Sequence, residues 1–369
     1  MRTSILAFLL VALLPIAGHS ETPAVKPDNP GSYTVVRGDT LWDISGRFLE
    51  EPWQWPSIWE VNPQIENPHL IYPGDVISLT YRDGRPVLSV NRGSRYVKLS
   101  PEIRSSELSD AIPSIPIDAI QPFLSQPLIV SADEMSSWPY VFSSEDQRLI
   151  SGSGNRIYVR GLAEDADETR YSIYRKGPAY RVKGADGRYA DGEILGYQAL
   201  YIGDATIEKF GDPASAKIVN SEREILAGDR LLPYAEGERI RDFIPKMPGS
   251  EVSGQVVSVI DGVSEIGQYQ VVVLSVGNND GVETGNMLGV YQSGIMVRDN
   301  VTDDVRTDDR KSKYETDFFR LSQNKGEPVE LPEEYAGAVM VFRVFDKVSY
   351  ALVMQTTKPL HIYDSVRNL

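Results

Sequence analysis

Between residues 33 and 79 the apolar positions change their spacing and then change it back. Tyr33 and Val35 fall on one side of an extended segment and Thr34 and Val36 on the other, as successive strand residues do. Arg37-Gly38-Asp39 reads as a turn. Leu41, Ile44 and Phe48 then recur three and four apart, which predicts one face of a helix. Asp39 or Thr40 can cap that helix, and Thr40-Leu41-Trp42-Asp43 has capping-box spacing. Glu50-Glu51-Pro52 ends it. A second, shorter helix starts around Pro56, with Trp55, Ile58 and Trp59 as its inner stripe, and stops at Asn62-Pro63. Pro73-Gly74-Asp75 predicts a turn and Val76 to Leu79 a closing strand. A strand, two helices and a strand make a small unit with little to bury. Trp42, Trp53, Trp55 and Trp59, four of the five tryptophans in the chain, answer that need, with Trp53 the candidate for an exposed, stacking ring.

The rest of the chain carries a different pattern. Tyr81 to Leu99 is polar and β-prone, and Pro101 to Pro127 holds five prolines among small and apolar residues, as a linker or strap would. From Leu128 short strands follow: 156–160, 171–175, 179–183, 197–202, 205–210, 216–219 and 228–233. Lys246-Met-Pro-Gly-Ser marks a boundary. Strands at 255–260, 269–276, 287–291, 337–345 and 348–355 come after it, the last two joined at Asp346-Lys347. Strands at this spacing predict barrels or sandwiches. The charged stretch Asp299 to Pro332 interrupts the second set. Gly277, Gly281 and Gly285 are tight turns and not a phosphate loop, because no helical pattern or Lys-Ser/Thr follows them. The expected division is a leader over 1–20, a linker over 21–32, the small unit over 33–80, a linker or strap over 81–127, and β-rich domains over 128–245 and 246–369.

Composition narrows the setting. A net charge of −15 argues against nucleic acid and against anionic lipid surfaces, which leaves at most a peripheral place at a membrane. Arg2, the apolar run Ile5 to Ala17 and the small residues before Glu21 predict an export signal cleaved after Ser20. Cysteine is absent, and an exported chain without disulfides fits a bacterial periplasm.

The same inventory leaves little for catalysis. Thiol chemistry needs a cysteine. The three histidines are His19, His69 and His361. The first leaves with the leader, and the other two are too isolated to build a zinc site or a serine triad. Carboxylates are plentiful, but no helical domain houses one as in lytic glycosidases. The expectation is a protein without catalytic residues, metal or cofactor. His69 reads as a half-exposed loop histidine.

Gly38-Asp39-Thr40-Leu41-Trp42-Asp43-Ile44 at one end, and Asn62-Pro63 with Ile71-Tyr72-Pro73-Gly74-Asp75-Val76-Ile77 at the other, closely resemble the LysM family. The resemblance implies an α+β chain: a small β-α-α-β LysM module followed by mostly-β, barrel- or sandwich-like domains. It implies binding to the N-acetylglucosamine polymer of peptidoglycan in a shallow groove. Gly38, Asp39, Thr40 and Leu41 would form one wall, and Asn67, Pro68, Leu70 and Ile71 the other. Turn and cap chemistry alone accounts equally well for Gly38, Asp39 and Thr40. The Trp53-Gln54-Trp55-Pro56 insertion departs from the family pattern. The whole layout resembles the family of LysM proteins associated with type IV pilus secretins, carried by Gly196–Gly203, Ala227–Pro233 and Val282–Val290, whose C-terminal region is similar to that of a flagellar assembly factor. That implies a periplasmic scaffold between peptidoglycan and the outer-membrane secretin PilQ. The competing expectations are a cell-wall hydrolase or its activator, and a flagellar basal-body factor.

Overall fold

A computed structural model of the chain describes residues 23–59, 71–91, 112–125, 128–162, 167–182, 192–234, 243–260, 265–292, 296–299 and 327–369. The leader, Asn62-Pro63 and His69 lie outside these residues. Chain contacts divide the protein into two compact units, Met1–Ile112 and Pro113–Leu369.

In the first unit β1 (Ser32–Thr34) leads through a turn to α1 (Leu41–Phe48). A 3-10 turn at Pro52–Gln54 runs into the single turn of α2 (Trp55–Ile58), so the second helix is shorter than its tryptophan stripe. The closing strand β2 (Val76–Arg82) runs past Leu79 and folds back as β3 (Arg85–Asn91). Asp83 and Gly84 both have positive φ, 51° and 77°, which is the type I′ geometry that matches strand twist. The sheet order is β1-β2-β3, all antiparallel. β3 belongs to the core, since Leu88 and Val90 pack with Leu41, Ile44, Phe48, Trp55, Ile71 and Ile77. Trp42 and Trp55 are buried, whereas Trp53 and Trp59 are half-exposed.

In the second unit α3 (Ile117–Ser125), β4 (Leu128–Val130) and α4 (Ala132–Ser137) precede a sheet built from β5 (Tyr140–Ser144), β6 (Arg156–Arg160), β7 (Arg170–Arg181), β8 (Ile194–Lys209), β9 (Ala214–Ser221) and β10 (Arg230–Pro233). Its order is β4-β8-β7-β10-β5-β6-β9, and an added β8–β9 pairing returns the sheet onto itself. The inside is filled by Val141, Ile157, Val159, Ile173, Ile202, Ala205 and Ile218. A closed barrel follows: β11 (Ser253–Val259), β12 (Val271–Leu274), β13 (Met287–Gln292), β16 (Glu334–Val344), β17 (Ser349–Thr356) and β18 (Ser365–Asn368), in the order β11-β12-β17-β16-β13-β18. Between β13 and β16 a separate two-stranded ribbon pairs β14 (Met296–Asp299) with β15 (Glu327–Glu330).

Sheet and barrel meet through aromatic residues. Tyr180 of β7 lies beside Tyr350 of β17, and burial pushes the Tyr180 hydroxyl up to about 12 and that of Tyr350 higher still. Arg343 of β16 faces Tyr174 and Tyr350 and donates from Nη1 to the Phe123 carbonyl near the end of α3, at 3.0 Å. A cation at a helix C-terminus meets the negative end of the helix dipole, and here burial lowers the Arg343 pKa.

Candidate functional site

Val36-Arg37-Gly38-Asp39 is a four-residue turn closed on itself twice. The Asp39 amide donates to the Val36 carbonyl at 3.3 Å, and the Val36 amide donates to Asp39 Oδ2 at 2.8 Å. Gly38 has φ of 95°, a conformation that disfavours any side chain although the space above it is open. Tyr33 Oη reaches Asp39 Oδ1 at 3.4 Å, and the Arg47 guanidinium stacks 4.4 Å over the Tyr33 ring. Partial burial, then the Asp39 carboxylate, raise the pKa of the Tyr33 hydroxyl.

Tyr72-Pro73-Gly74-Asp75 repeats the turn. Its Asp75 amide donates to the Tyr72 carbonyl at 3.0 Å, the Tyr72 amide donates to Asp75 Oδ2 at 3.1 Å, and Gly74 has φ of 96°. The two turns stand side by side because Val35 bonds across them. Its amide donates to the Asp75 carbonyl at 2.9 Å and its carbonyl accepts from Gly74 at 2.8 Å.

The predicted wall residues divide in the structure. Gly38 is exposed and Asp39 half-exposed. Thr40 is buried: its Oγ1 accepts from the Asp43 amide at 3.1 Å and donates to Asp43 Oδ2 at 2.8 Å, capping α1. Leu41 and Ile71 are buried in the core, where their side chains hold the loops. Asn67, Pro68 and Leu70 lie outside the described residues. The residue pattern did not single out Val36, 52% exposed, or the half-exposed Tyr72 and Pro73, which crown the paired turns. The repeated Gly-Asp pair was the available signal. Backbone polar groups beside small apolar surfaces suit a ligand that carries amides and methyl groups.

Residues 33–80 match the LysM domain family. The N-terminal unit is a LysM module. That match suggests peptidoglycan binding and association with the cell wall, and it indicates no catalytic family. The uncharacterized protein YqbP of Bacillus subtilis (strain 168) is 38% identical over 60 residues, covering 14% of this chain and 27% of that protein. The chain thus spans about a quarter of the length of the curated relative it matches.

The β unit offers a cleft of about 180 Å³ lined by Glu145, Arg148, Arg156, Glu208 and Lys217. Arg156 spans it, paired with Glu145 at 2.7 Å and Glu208 at 2.7 Å, so these charges are consumed internally. Among the described residues no group of His, Cys, Asp or Glu is placed to hold a metal, and no helix is long and apolar enough to cross a membrane.

Proposed function

We propose that the chain is a non-catalytic periplasmic scaffold that grips peptidoglycan through its LysM module and meets the outer-membrane secretin PilQ of a type IV pilus through its β unit. The paired turns carry the first half of this reading. They set Gly38, Asp39, Val36, Tyr72 and Pro73 at one surface of a module whose family binds N-acetylglucosamine chains. Asn67, Pro68, Leu70 and Ile71, at the corresponding positions of the LysM pattern, are the candidates for the facing wall. A shallow surface of this kind binds one module modestly, and affinity rises when many copies meet one polymer. The second half rests on the layout: a LysM module ahead of β-rich domains without a recognisable catalytic motif.

The test is sedimentation of the mature chain with purified sacculi, beside the double variant Val36→Lys, Tyr72→Ala. The chain is expected in the pellet and the variant in the supernatant at an unchanged melting temperature. A native chain that stays in the supernatant overturns wall binding. For the partner, secretin rings isolated from cells should carry the chain, and clean rings without it overturn that half alone.

A further inference from the structure

The ribbon β14–β15 is a two-stranded sheet separate from the barrel, inserted in the chain between β13 and β16. β13 and β16 pair Tyr291 with Tyr335 and Gln292 with Glu334, and in the ribbon Met296 pairs with Glu330. From Met296 to Asp299 the ribbon spans ~10 Å at strand rise. Beyond the barrel each of its strands has one partner among the described residues. Two-stranded ribbons are marginal alone, and their open edges are templates for another strand.

The two edges are not equivalent. Pro328 is paired with Arg298. Proline has no N–H, so this pair cannot be the kind that exchanges two hydrogen bonds. It is the non-bonded kind, with Val297–Val329 and Asp299–Glu327 carrying the bonds. By the same parity the outer edge of β15 presents Pro328 and Glu330, so it lacks one of its two donors. On β14 the same parity turns the N–H and C=O groups of Met296 and Arg298 outward, a complete set for one further strand.

We infer that β14 is a self-pairing edge through which two copies of this chain associate, antiparallel about a two-fold axis at Val297. In that register Met296 of one copy exchanges both bonds with Arg298 of the other, and no like charges stand opposite. Val297 meets its twin in the close, non-bonded position. Val297 and Val329 are cross-strand partners, 44% and 43% exposed, so pairing yields a four-valine stripe across four strands. The equivalent pairing of β15 about Val329 sets Pro328 against Glu330, so each such pair loses one of its two bonds. Strands of four residues bury less than the ~1,200 Å² of stable complexes, so the contact is weak and gains strength only where copies are already crowded.

The chain has no cysteine, so single cysteines report the geometry cleanly. Across the two-fold, Val297→Cys brings Cα atoms to ~4.5 Å, within disulfide range, whereas Val329→Cys leaves them three strand spacings, ~14 Å, apart. Under mild oxidation of the mature full-length chain, V297C is expected to form covalent dimer about tenfold faster than V329C, since exchange rates follow access and geometry. Arg298→Pro, which removes the outward donor, should abolish the concentration-dependent dimer seen for the parent by sedimentation velocity while circular dichroism stays unchanged. Equal cross-linking of both cysteine variants, or a parent that stays monomeric at every concentration, overturns the inference. So does a monomeric parent whose β14 captures a strand of a different protein.

Discussion

One turn serves both units of this protein, and it does different things in each. Val36–Asp39 and Tyr72–Asp75 in the LysM module share their double closure with Gly152–Asn155, Leu226–Asp229, Glu283–Asn286 and His361–Asp364 in the β unit. In each the third residue has positive φ, glycine in all but the last, where Tyr363 takes 76°. In each the fourth residue is Asp or Asn and returns a side-chain oxygen to the first amide. Five of the six stand immediately before a strand and the sixth before the Thr40 cap of α1. The β unit buries the acid: Asp229 is 3% exposed and takes Arg175 in a bidentate pair at 2.7 and 2.8 Å. The LysM module leaves its acids half-exposed at the top of a pair of turns. A Gly-Asp turn is therefore fold punctuation first, and it belongs to a site only where the surrounding chain leaves it at the surface.

The sharpest way to break that contrast is to remove the acid from each setting. Asp229→Ala leaves Arg175 facing a buried vacancy and opens the turn before β10. It should cost about 3–5 kcal/mol, read as a lowered urea midpoint of the β unit. A loss near that of an exposed acid would place Asp229 with the surface turns. Next in size is pH. The Tyr180 pKa is raised from 10.0 to about 12 by burial. Its neutral form stabilises the fold fully below pH 10, and that contribution, about 2–3 kcal/mol, is lost as pH rises through the folded value. Alkaline unfolding of the β unit should therefore steepen above pH 10, and Tyr180→Phe should flatten it.

Within the module the effects are smaller. Thr40→Ala removes the α1 cap and should lower stability by about 1 kcal/mol. Asp39→Ala should cost less, about 0.5–1 kcal/mol, since its turn lies at the surface. Under the proposed function the same Asp39 change should nonetheless weaken sacculus binding about tenfold, because the wall it shapes is the contact surface. Binding that falls only in step with stability would return Asp39 to punctuation alone.

Much of this was readable from the residue pattern. The Thr40 cap, the Leu41, Ile44 and Phe48 face of α1 and the strand at 156–160 lie where their periods place them. Other features depended on partners far along the chain. Gly177-Pro178 reads as a turn between two strands. In the fold it is taken up by an irregularity in the β7–β8 ladder between Lys176 and Ala179, so β7 runs through. Gly203 reads as a strand end. β8 passes through it because a Cβ there would meet the Asn220 carbonyl at 2.2 Å, and only glycine lets β9 approach that closely. β3 lies in the stretch read only as polar and β-prone, although Asp83-Gly84 announces a hairpin. β18 was missed because Ser365-Val366-Arg367-Asn368 shows too little alternation to declare a strand, and it exists by filling the gap between β11 and β13. At the candidate site Gly38 and Asp39 were legible, while the neighbouring Val36, Tyr72 and Pro73 were not. Their prominence comes from bonds between Val35 and residues 74 and 75.

What the amino-acid order determined by itself is local. It set the six turns, each closed by atoms within four residues, the cap and face of α1, and the small LysM module that these frame. What only the tertiary structure decided is which turns face solvent and where the sheet and the barrel close. The physical reason is range. A turn completes its hydrogen bonds within itself, but an exposed turn, a closed sheet or an unpaired edge is defined by what distant chain segments cover or leave bare.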